Sequence, residues 1–337
     1  MRSIFTRVIL GLAVLATASE IKAQQDPHYS NFMFNKLTYN AGFAGATDGK
    51  ICATLLYRDQ WVGFGGGQSS AGLQRGDAPK NLVGSLNSNI GKHIGLGLTI
   101  VSDELGFQKT VVPRLALSWR QDVGSDGNLA GGIGVGYMQR NLDGDKLKAI
   151  DPNDPKIPSG KVSGSAIDLD FGLYYTKDNL AGMFNKFYAG LSATHLNQNK
   201  ITYEYPQGRS TVDAKMHYYF VTGAEYDINS NLTLQPNIIV KKDPAKVQTD
   251  LNCFLVWHQN LRGGLTWRPM DAAVVLLGYQ FPMGKQDLYI GYSYDITTSR
   301  IIKYSSGSHE IVLRYCFGVV IPHTTPILRS RYTPRFM

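Results

Sequence analysis

Beyond residue 23, this chain lacks any continuous apolar run of about eighteen residues, the length that a membrane-spanning helix needs. It has three cysteines, Cys52, Cys253 and Cys316, too few and too widely spaced for a disulfide framework, although a single bridge stays open. It also lacks a basic run interleaved with aromatic residues, so we expect no nucleic-acid partner. These absences argue against a helical membrane protein, a disulfide-rich domain and a nucleic-acid-binding protein.

The residue spacing that metal or catalytic sites require is missing as well. None of the histidines pairs with a cysteine or another histidine at metal-ligand spacing. No nucleophile elbow surrounds Ser163 or Ser165. His195 and Asp213 form the best available pair for hydrolytic chemistry, but no motif supports them. We therefore expect no catalytic residue, no cofactor and no metal site, and we predict that the protein is not an enzyme.

The N-terminus carries an export pattern. Arg2 and Arg7 precede an apolar stretch over 8–18, and a polar approach then leads to Ala23. This order of charged, apolar and small residues is typical of a cleavable signal peptide. We predict a signal peptide over 1–23, which places the mature chain outside the cytoplasm.

Glycine and tyrosine are abundant, with 36 and 19 residues among 337, and the chain repeatedly alternates apolar with small or polar residues. In the stretch 167–175 the alternation sets Asp168 and Asp170 against large apolar neighbours, so both carboxylates should face a lumen. Fourteen such stretches follow one another, most of them about ten residues long, which suits strands that cross a bilayer at a tilt. The predicted strands cover 51–61, 80–90, 93–102, 109–121, 128–140, 163–176, 185–196, 215–227, 231–241, 246–257, 260–268, 271–282, 286–297 and 308–318.

Connection lengths support the same architecture. Long connections such as 62–79, 141–162 and 197–214 alternate with tight ones such as 91–92 and 229–230. Outer-membrane barrels have short periplasmic turns and longer external loops, which predicts a periplasmic location for both termini. The fold class is therefore all-β, a transmembrane antiparallel β-barrel of about fourteen strands and of the outer-membrane type. We place the barrel over 49–318.

Some details of this barrel are less regular. Pro113 and Pro236 fall inside predicted strands, which predicts either a bulge at each or an incorrect strand boundary. Cys52 and Cys316 should be neighbours at the barrel seam, where a disulfide is one open alternative. A soluble β-sandwich would also alternate, but it would need a more polar outward face. Aromatic residues near the strand ends are expected to form interfacial girdles; they are Tyr57, Trp61, Trp119, Tyr226, Trp257, Trp267, Tyr279 and Tyr289.

Two segments lie outside the strand pattern. Residues 24–48 are rich in aromatic residues and asparagine but do not alternate, so we expect them to plug the lumen or to cover its periplasmic mouth. The alternative is a disordered leader. The tail over 319–337 should be periplasmic, where Arg329, Arg331 and Arg335 either contact an acidic partner or form a solvated basic end.

The N-terminal part also carries recognisable motifs. Its motif residues are Asp26, Pro27, Tyr29, Asn40, Phe43, Gly45, Tyr57, Arg58, Gln60 and Trp61. Together with the signal, the strand pattern and the Arg-rich tail, they resemble the PorP/SprF family of type IX secretion system membrane proteins from Bacteroidota. Members typically carry an Asn-Pro-Ala-Phe-Ala-Gly turn and a Tyr-Arg-Asn-Gln-Trp strand; here Ala41 and Gly42 stand for Pro-Ala, and Asp59 stands for the asparagine.

The resemblance implies an outer-membrane component that exports, or holds at the surface, cargo with a C-terminal sorting domain, such as gliding adhesins. Other type IX secretion components are the implied partners. The full chain has a formal charge of +8, and without residues 1–23 it has 31 basic and 25 acidic residues, or +6; this mild basic excess favours contact with anionic lipopolysaccharide besides the membrane lipid. Candidate partner contacts on the loop 197–214 are Tyr203, Tyr205 and Arg209. Two other functions compete: a transporter of hydrophobic small molecules, like the fatty-acid channels, and, ranked last, a membrane-embedded hydrolase.

Overall fold

The computed structural model describes residues 26–64, 78–147, 157–158, 160–206 and 208–318. Antiparallel strands close into a barrel in which β1 pairs with both β2 and β16. The strands are β1 (Lys50–Asp59), β2 (Lys80–Ile90), β3 (Ile94–Leu105), β4 (Gln108–Val123), β5 (Gly127–Asp143), β6 (Lys161–Leu180), β7 (Phe184–Thr194), β8 (Lys200–Tyr205), β9 (Gly208–Asp213), β10 (His217–Asn229), β11 (Leu232–Lys242), β12 (Val247–Trp257), β13 (Leu261–Arg268), β14 (Ala272–Met283), β15 (Gln286–Thr297) and β16 (Ser308–Gly318).

The described residues contain five short 3-10 helices, Phe32–Phe34, Lys36–Thr38, Ala41–Phe43, Gly144–Lys146 and Arg300–Lys303. Within the same residues, no helix combines the length and apolar character needed to cross a membrane.

The barrel itself has fourteen strands, as the sequence predicted. Strands β8 and β9 are not part of it, and β7 pairs directly with β10. The connections at one end of the barrel all have two or three residues, whereas four of those at the other end have ten or more. We call the end of the barrel with the long connections, where β1 ends, the long-loop end. The other end, where β1 begins and β16 ends, is the short-turn end.

The two faces of the wall follow from the two-residue period of a strand. On β4, the side chains of Leu115 and Leu117 point outward and are 53% and 48% exposed. On β6, Asp168 and Asp170 point into the lumen, as predicted, with exposures of 2% and 5%. An apolar outer face and a polar inner face suit a barrel in lipid, because carboxylates are costly to place in hydrocarbon.

The prediction of bulges at the prolines is wrong. Pro113 pairs in register with Ile100, and Pro236 pairs in register with Cys253. On the other side of each proline the pairing lapses for two residues and then resumes in the same register. Proline removes a single N–H donor, so the ladder loses local pairing without inserting an extra residue. The irregularity of β10 lies elsewhere, between Asp227 and Asn229.

Most of the aromatic residues predicted to form the interfacial girdle lie on the outer face, but Tyr289 does not. Trp119, Trp257 and Trp267 are 58%, 55% and 48% exposed on the outer face. Tyr289 faces the lumen instead, is 4% exposed, and stacks on Phe34 with 4.2 Å between ring centroids. The reason is local space: a Cβ on Gly278 would lie 2.2 Å from the Tyr289 hydroxyl, so this glycine makes room for the inward ring.

The seam of the barrel contains a disulfide. Cys52 lies opposite Cys316 in the register of β1 and β16, and the two are bonded. The bond therefore joins the first and last barrel strands near the short-turn end. Cys253 is a free cysteine exposed on the wall.

The hairpin β8–β9 lies within a connection that the sequence analysis treated as a loop. The buried side chains of Ile201 and Tyr203 pack with Val112 and Met138 of the wall. An isolated two-stranded hairpin is marginally stable in water, so this packing is what holds it. It covers part of the long-loop end.

The N-terminal segment runs inside the lumen, and we call residues 26–48 the luminal segment. Its backbone lies against inward-facing glycines of the wall. A Cβ on Gly132 would lie 2.4 Å from the Ala41 carbonyl oxygen, and one on Gly95 would lie 2.2 Å from that of Ala44. Only glycine permits so close an approach of two backbones. The repeated glycines of the wall are thus a seat for the luminal segment.

Side chains of the wall complete this seat by hydrogen bonds to the segment's backbone. The Ser192 hydroxyl donates to the Tyr39 carbonyl at 2.6 Å, and the Ser118 hydroxyl donates to the Ala44 carbonyl at 2.7 Å. Irregular backbone inside a membrane protein is tolerated where such partners satisfy it.

Candidate functional site

The luminal segment passes through most of the barrel's length. Gly45 lies near the short-turn end, where its N–H donates to Asn87 at 2.7 Å. Asp26 lies near the long-loop end, beside His195, which directly follows β7. Of the two expected positions, a plug in the lumen or a cover at its periplasmic mouth, the structure shows the first, and the described beginning of the segment lies at the opposite end from the start of β1. The segment enters β1 only after running back through the lumen.

One group of buried charges holds the segment at Ser30. We call it the Ser30 cluster; its members are Ser30, Asn31, Arg58, Asp250, Arg268, Asp295 and Glu310. Arg58 of β1 bridges Asp295 at 2.7 Å and Glu310 at 3.2 Å. Arg268, at the end of β13, contacts Asp250 at 2.7 Å and Asp295 at 3.2 Å. Both arginine side chains are 1% exposed, so the cluster is shielded from solvent.

The segment contributes its own polar groups to this cluster. The Ser30 hydroxyl donates to Asp295 at 2.8 Å and accepts from Arg58 at 3.0 Å. The backbone N–H groups of Ser30 and Asn31 donate to the two oxygens of Glu310 at 2.9 and 2.7 Å. Four charged side chains from four strands thus contact two residues of the segment, and Asp250 of a fifth strand holds Arg268. This arrangement fixes the position and direction of the segment.

A second group lies around Asp26. We call it the Asp26 cluster; its members are Asp26, Arg114, Asp168, His195, His217, Tyr219 and Lys241. His195 lies between two carboxylates, with Nε2 3.0 Å from Asp26 and Nδ1 2.7 Å from Asp168. Behind them, Arg114 donates to Asp168 at 2.7 Å and also pairs with Asp170.

The remaining members hold Asp26 from the other side. The Tyr219 hydroxyl donates to the Asp26 carboxylate at 2.6 Å, and the Lys241 ammonium donates to the Asp26 backbone carbonyl. His217 Nδ1 lies 3.8 Å from the second carboxylate oxygen of Asp26. The Asp26 side chain keeps 29% of its surface exposed, in contrast to the buried arginines of the Ser30 cluster.

The electrostatics of this contact follow from its charges. Burial by itself would raise the pKa of the Asp26 carboxyl, but His217 and His195 outweigh it and hold the pKa well below the usual 3.8. Burial by itself would lower the pKa of His195, but the Asp26 and Asp168 carboxylates raise it from 6.5 to about 10. In the absence of another cation, His195 is therefore an imidazolium between two carboxylates.

A cavity of about 180 Å³ lies beside these clusters. Asp26, His195 and His217 line it together with apolar side chains such as Val112 and Met138. It thus combines an apolar wall with a small number of convergent polar groups, which is typical of a small-ligand site.

The predicted motif residues lie on both sides of the wall. Asp26 and Arg58 belong to the two clusters, and Pro27 lines the cavity. Tyr29 is buried in a small core with Leu56 of β1.

The turn motif around Asn40 seats the segment. The Asn40 side chain accepts from the Gly42 N–H at 2.8 Å and donates to the Leu173 carbonyl at 3.0 Å. Phe43 packs edge-on against Tyr174, with 5.2 Å between ring centroids. Gly45 adopts a φ of 75°, where a side chain would be strained.

The motif residues at the end of β1 lie on the outer face or at the rim of the barrel and not in the lumen. Tyr57 points outward and is 43% exposed. Gln60 and Trp61 form the rim of the long-loop end, where the Gln60 N–H donates to the Pro79 carbonyl at 2.9 Å and the Trp61 N–H to the Ser308 hydroxyl at 3.0 Å. Of the Tyr-Arg-Asp-Gln-Trp stretch, only Arg58 therefore enters a luminal cluster.

The candidate partner contacts on the hairpin are divided by burial. Tyr203 and Tyr205 are 2% and 9% exposed because they face the wall, whereas Arg209 is exposed. The expectation that both tyrosines form a contact surface therefore does not fit this fold, and Arg209 stays a candidate. Arg329, Arg331 and Arg335 lie outside the described residues.

Sequence reasoning missed most of the luminal clusters. It paired His195 with Asp213, but the structure brings His195 to Asp26 and Asp168, and Asp213 contacts Lys215 at 2.7 Å. The one usable signal was the alternation around Asp168. It predicted that this side chain faces the lumen, and Asp168 is a member of the Asp26 cluster. No local spacing links residues 26, 195 and 217, because they meet only when the barrel closes around the segment.

A closed antiparallel barrel with an apolar exterior, a charged interior and a luminal segment defines the class: an outer-membrane β-barrel. Residues 21–315 match the family described as type IX secretion system membrane protein PorP/SprF, and the chain belongs to this family. This confirms the resemblance inferred from the motifs.

Solved structures give more distant likenesses. The chain is similar to the TodX deltaS2S3 mutant, a monoaromatic hydrocarbon channel, with 8% identity, a TM-score of 0.51 and coverage of 80% of this chain and 90% of that chain. It is also similar to the Ralstonia pickettii toluene transporter TbuX, with 10% identity, a TM-score of 0.51 and coverage of 84% and 93%. At such identities the likeness concerns the fold alone. No curated protein matches the chain.

Proposed function

We propose that this type IX secretion barrel is an anchoring scaffold in the outer membrane. In this role it supports export or surface attachment of cargo with a C-terminal sorting domain, such as gliding adhesins. It binds other components of the secretion system and catalyses no reaction. Membership of the PorP/SprF family carries the assignment to secretion.

Because the luminal segment fills the lumen, we favour a scaffold that holds the cargo and not a channel through which the cargo passes. The luminal segment is hydrogen-bonded to the wall from Asn87 near one end to Asp295 near the other. Moving it aside would uncouple buried charge pairs, and breaking one such pair costs about 3–5 kcal/mol. A protein cargo is therefore better accommodated on the outside of the barrel than through it.

The orientation follows the usual arrangement of these barrels, with the long-loop end external. Gly318 ends β16 at the short-turn end, so the tail that follows it starts on the periplasmic side. Asp26, the first described residue, lies near the external end, and residues 1–25 and 319–337 lie outside the described part of the chain. Cargo binds at the external loops, where Arg209 is exposed, and lipopolysaccharide and lipid surround the wall.

A transporter of hydrophobic small molecules is the second candidate. The cavity beside the Asp26 cluster is lined in part by apolar side chains, and a toluene transporter has a similar barrel. The polar seat of the luminal segment weighs against a continuous apolar path through the barrel.

Gene deletion with quantification of secreted proteins distinguishes the two candidates. Loss of sorting-domain cargo from the surface, with unchanged uptake of hydrophobic compounds, is the result expected for the scaffold. Unchanged secretion together with lost uptake would replace it by the transporter. Tagged wild-type protein should also bring down other secretion components or a cargo protein.

A cross-link tests scaffold against conduit more directly. Leu37 of the luminal segment packs against Gly97 of β3, where a Cβ would lie 2.7 Å from the leucine methyls and 3.2 Å from Cγ. Replacing both residues, Leu37→Cys and Gly97→Cys, therefore allows a disulfide that locks the segment in place. The locked protein should restore secretion in the deletion strain as well as its reduced form does. Secretion that recovers only after reduction would mean that the segment must leave the lumen. Each single-cysteine variant is the matched control.

A further inference from the structure

We propose that Asp26, His195 and His217 form a binding site for a divalent metal ion of the Zn²⁺ type. The site joins the beginning of the luminal segment to two neighbouring strands of the barrel wall. It takes ions that prefer imidazole and carboxylate ligands, and it discriminates against Mg²⁺ and Ca²⁺, which prefer oxygen ligands alone.

The first argument is the donor set. Among the described residues, these three side chains offer one ligand atom each, and the atoms all lie within 4.8 Å of one another. His195 Nε2 is 3.0 Å from Asp26 Oδ1, and His217 Nδ1 is 3.8 Å from Asp26 Oδ2. In a tetrahedral zinc site with bonds of about 2.0 Å, two ligand atoms are separated by about 3.3 Å. The two distances, which go to different oxygens of Asp26, lie on both sides of that value, so side-chain rotation is needed to bring one carboxylate oxygen and both ring nitrogens around one ion.

The second argument is His217 itself. Its side chain is 3% exposed, and neither ring nitrogen has a hydrogen-bond partner among the described residues. Leaving a buried polar group unsatisfied is unfavourable and uncommon in native proteins. A metal ion bound to Nδ1 would supply a partner for one of these two nitrogens, the one that already faces Asp26.

The third argument is the support behind His195. Its Nδ1 lies 2.7 Å from Asp168, which is in turn held by Arg114 at 2.7 Å. Metal-binding histidines usually donate their second N–H to a carboxylate, which sets the tautomer and orients the ring. Asp168 therefore acts as a positioning residue: Nδ1 keeps its proton, and Nε2 is turned toward Asp26. Metal binding replaces the Nε2 proton, which is released to solvent.

The surroundings leave room for a further ligand. All three donors line the cavity, so a water molecule or a small anion can complete a fourth position. Tyr219 and Lys241 hold Asp26 through its second oxygen and its backbone carbonyl, so Oδ1 is left to the metal. The ion would fasten Asp26 to His195 after β7 and to His217 at the start of β10.

Zinc binding to the purified full-length protein tests the site. The protein carries a tag without histidine, is kept in detergent, is stripped with a chelator and is then titrated with Zn²⁺ by calorimetry. The wild type should bind one ion per chain, in a manner insensitive to excess Mg²⁺. His217→Phe keeps an aromatic ring beside His195, which is 5.5 Å away between centroids, but removes both nitrogens. It should weaken binding by at least about 100-fold, since loss of second-shell partners alone costs about 10–100-fold.

His258→Phe is the matched control, because His258 is exposed in a turn at the short-turn end. It should bind zinc like the wild type. The proposal is overturned if the stripped wild type takes up no stoichiometric zinc. It is equally overturned if His217→Phe binds as tightly as the wild type, or if His258→Phe loses binding to the same degree.

Hydrogen exchange provides a readout that bulk metal binding does not. Zinc should slow amide exchange in the wild-type peptide that contains residues 27–31, because the ion fixes the chain at Asp26. The same peptide of His217→Phe should be unaffected by zinc. Slowing of equal size in the variant would contradict a link through His217.

Discussion

The two polar clusters that hold the luminal segment differ in how deeply their charged side chains are buried. In the Ser30 cluster, Arg58 and Arg268 are 1% exposed and reach three carboxylates from neighbouring strands. In the Asp26 cluster, the Asp26 side chain is 29% exposed, and both nitrogens of His217 lack a hydrogen-bond partner among the described residues. The Ser30 cluster reaches the cavity only through Asp250, whereas Asp26, His195 and His217 all line it.

The difference suggests separate roles for the two attachments. A deeply buried network of charges resists any loss of a member, because a buried charge left alone is costly. It therefore suits a permanent anchor. A partly exposed cluster beside a cavity can exchange one of its own contacts, here that of His195 with Asp26, for a bound ligand, so it suits an attachment that responds to binding.

The largest effect is expected for Arg58→Ala. This change leaves Asp295 and Glu310 with less compensation in a buried position, so the free energy of unfolding should fall by about 3–5 kcal/mol. Denaturant unfolding in detergent micelles measures it. Arg209→Ala on the exposed hairpin is the control and should change stability by less than about 0.5 kcal/mol. An equally small effect of Arg58→Ala would mean that the Ser30 cluster is not an anchor.

A smaller effect is expected for Ser30→Ala, which changes only the segment's contribution to that cluster. The hydroxyl bonds to charged partners on both sides, Asp295 at 2.8 Å and Arg58 at 3.0 Å. Hydrogen bonds to charged groups contribute about 1.5–3 kcal/mol, and the unfolding free energy should fall within that range. Ser125→Ala, whose hydroxyl contacts an exposed neighbour in a turn, serves as the matched control. A loss no larger than that of the control would argue that the backbone contacts alone hold this part of the segment.

The smallest effect is expected for Asp26→Asn in metal-free protein. The amide keeps the size of the side chain and can still accept from Tyr219, whereas the ionic contact with His195 is lost. Because the carboxylate is partly exposed, this contact should contribute only about 1 kcal/mol. The unfolding free energy in the presence of chelator tests the value. A loss as large as that of Arg58→Ala would remove the distinction between the two clusters.

Much of the barrel was predictable because a strand has a short, local period. Alternation identified fourteen strands and placed Asp168 and Asp170 inside, since each residue's face depends only on its neighbours in sequence. The same reasoning failed for Tyr289, which was assigned to the outer girdle on its residue type and its position near a strand end. Space beside Gly278, on a neighbouring strand, receives this ring.

The hairpin β8–β9 is a second element that the local sequence pattern did not predict. Ile201, Tyr203 and Tyr205 do alternate with polar residues, but the run is short and lies in a segment long enough to be a loop. Its stability comes from Val112 and Met138 on distant strands, and no local pattern reports that packing.

The sequence by itself determined a membrane barrel, its strand number, the faces of its strands and, through the Asp26 to Trp61 motifs, its secretion family. Only the tertiary structure decided where the luminal segment runs and which charges it meets. Asp26 and His195 are separated by 169 residues, and the segment has no periodicity that fixes its path. Their contact depends on the register of all the strands between them and on the glycine seat that lets the segment pass. The class of the molecule is thus encoded locally, whereas its two luminal clusters exist only in the closed barrel.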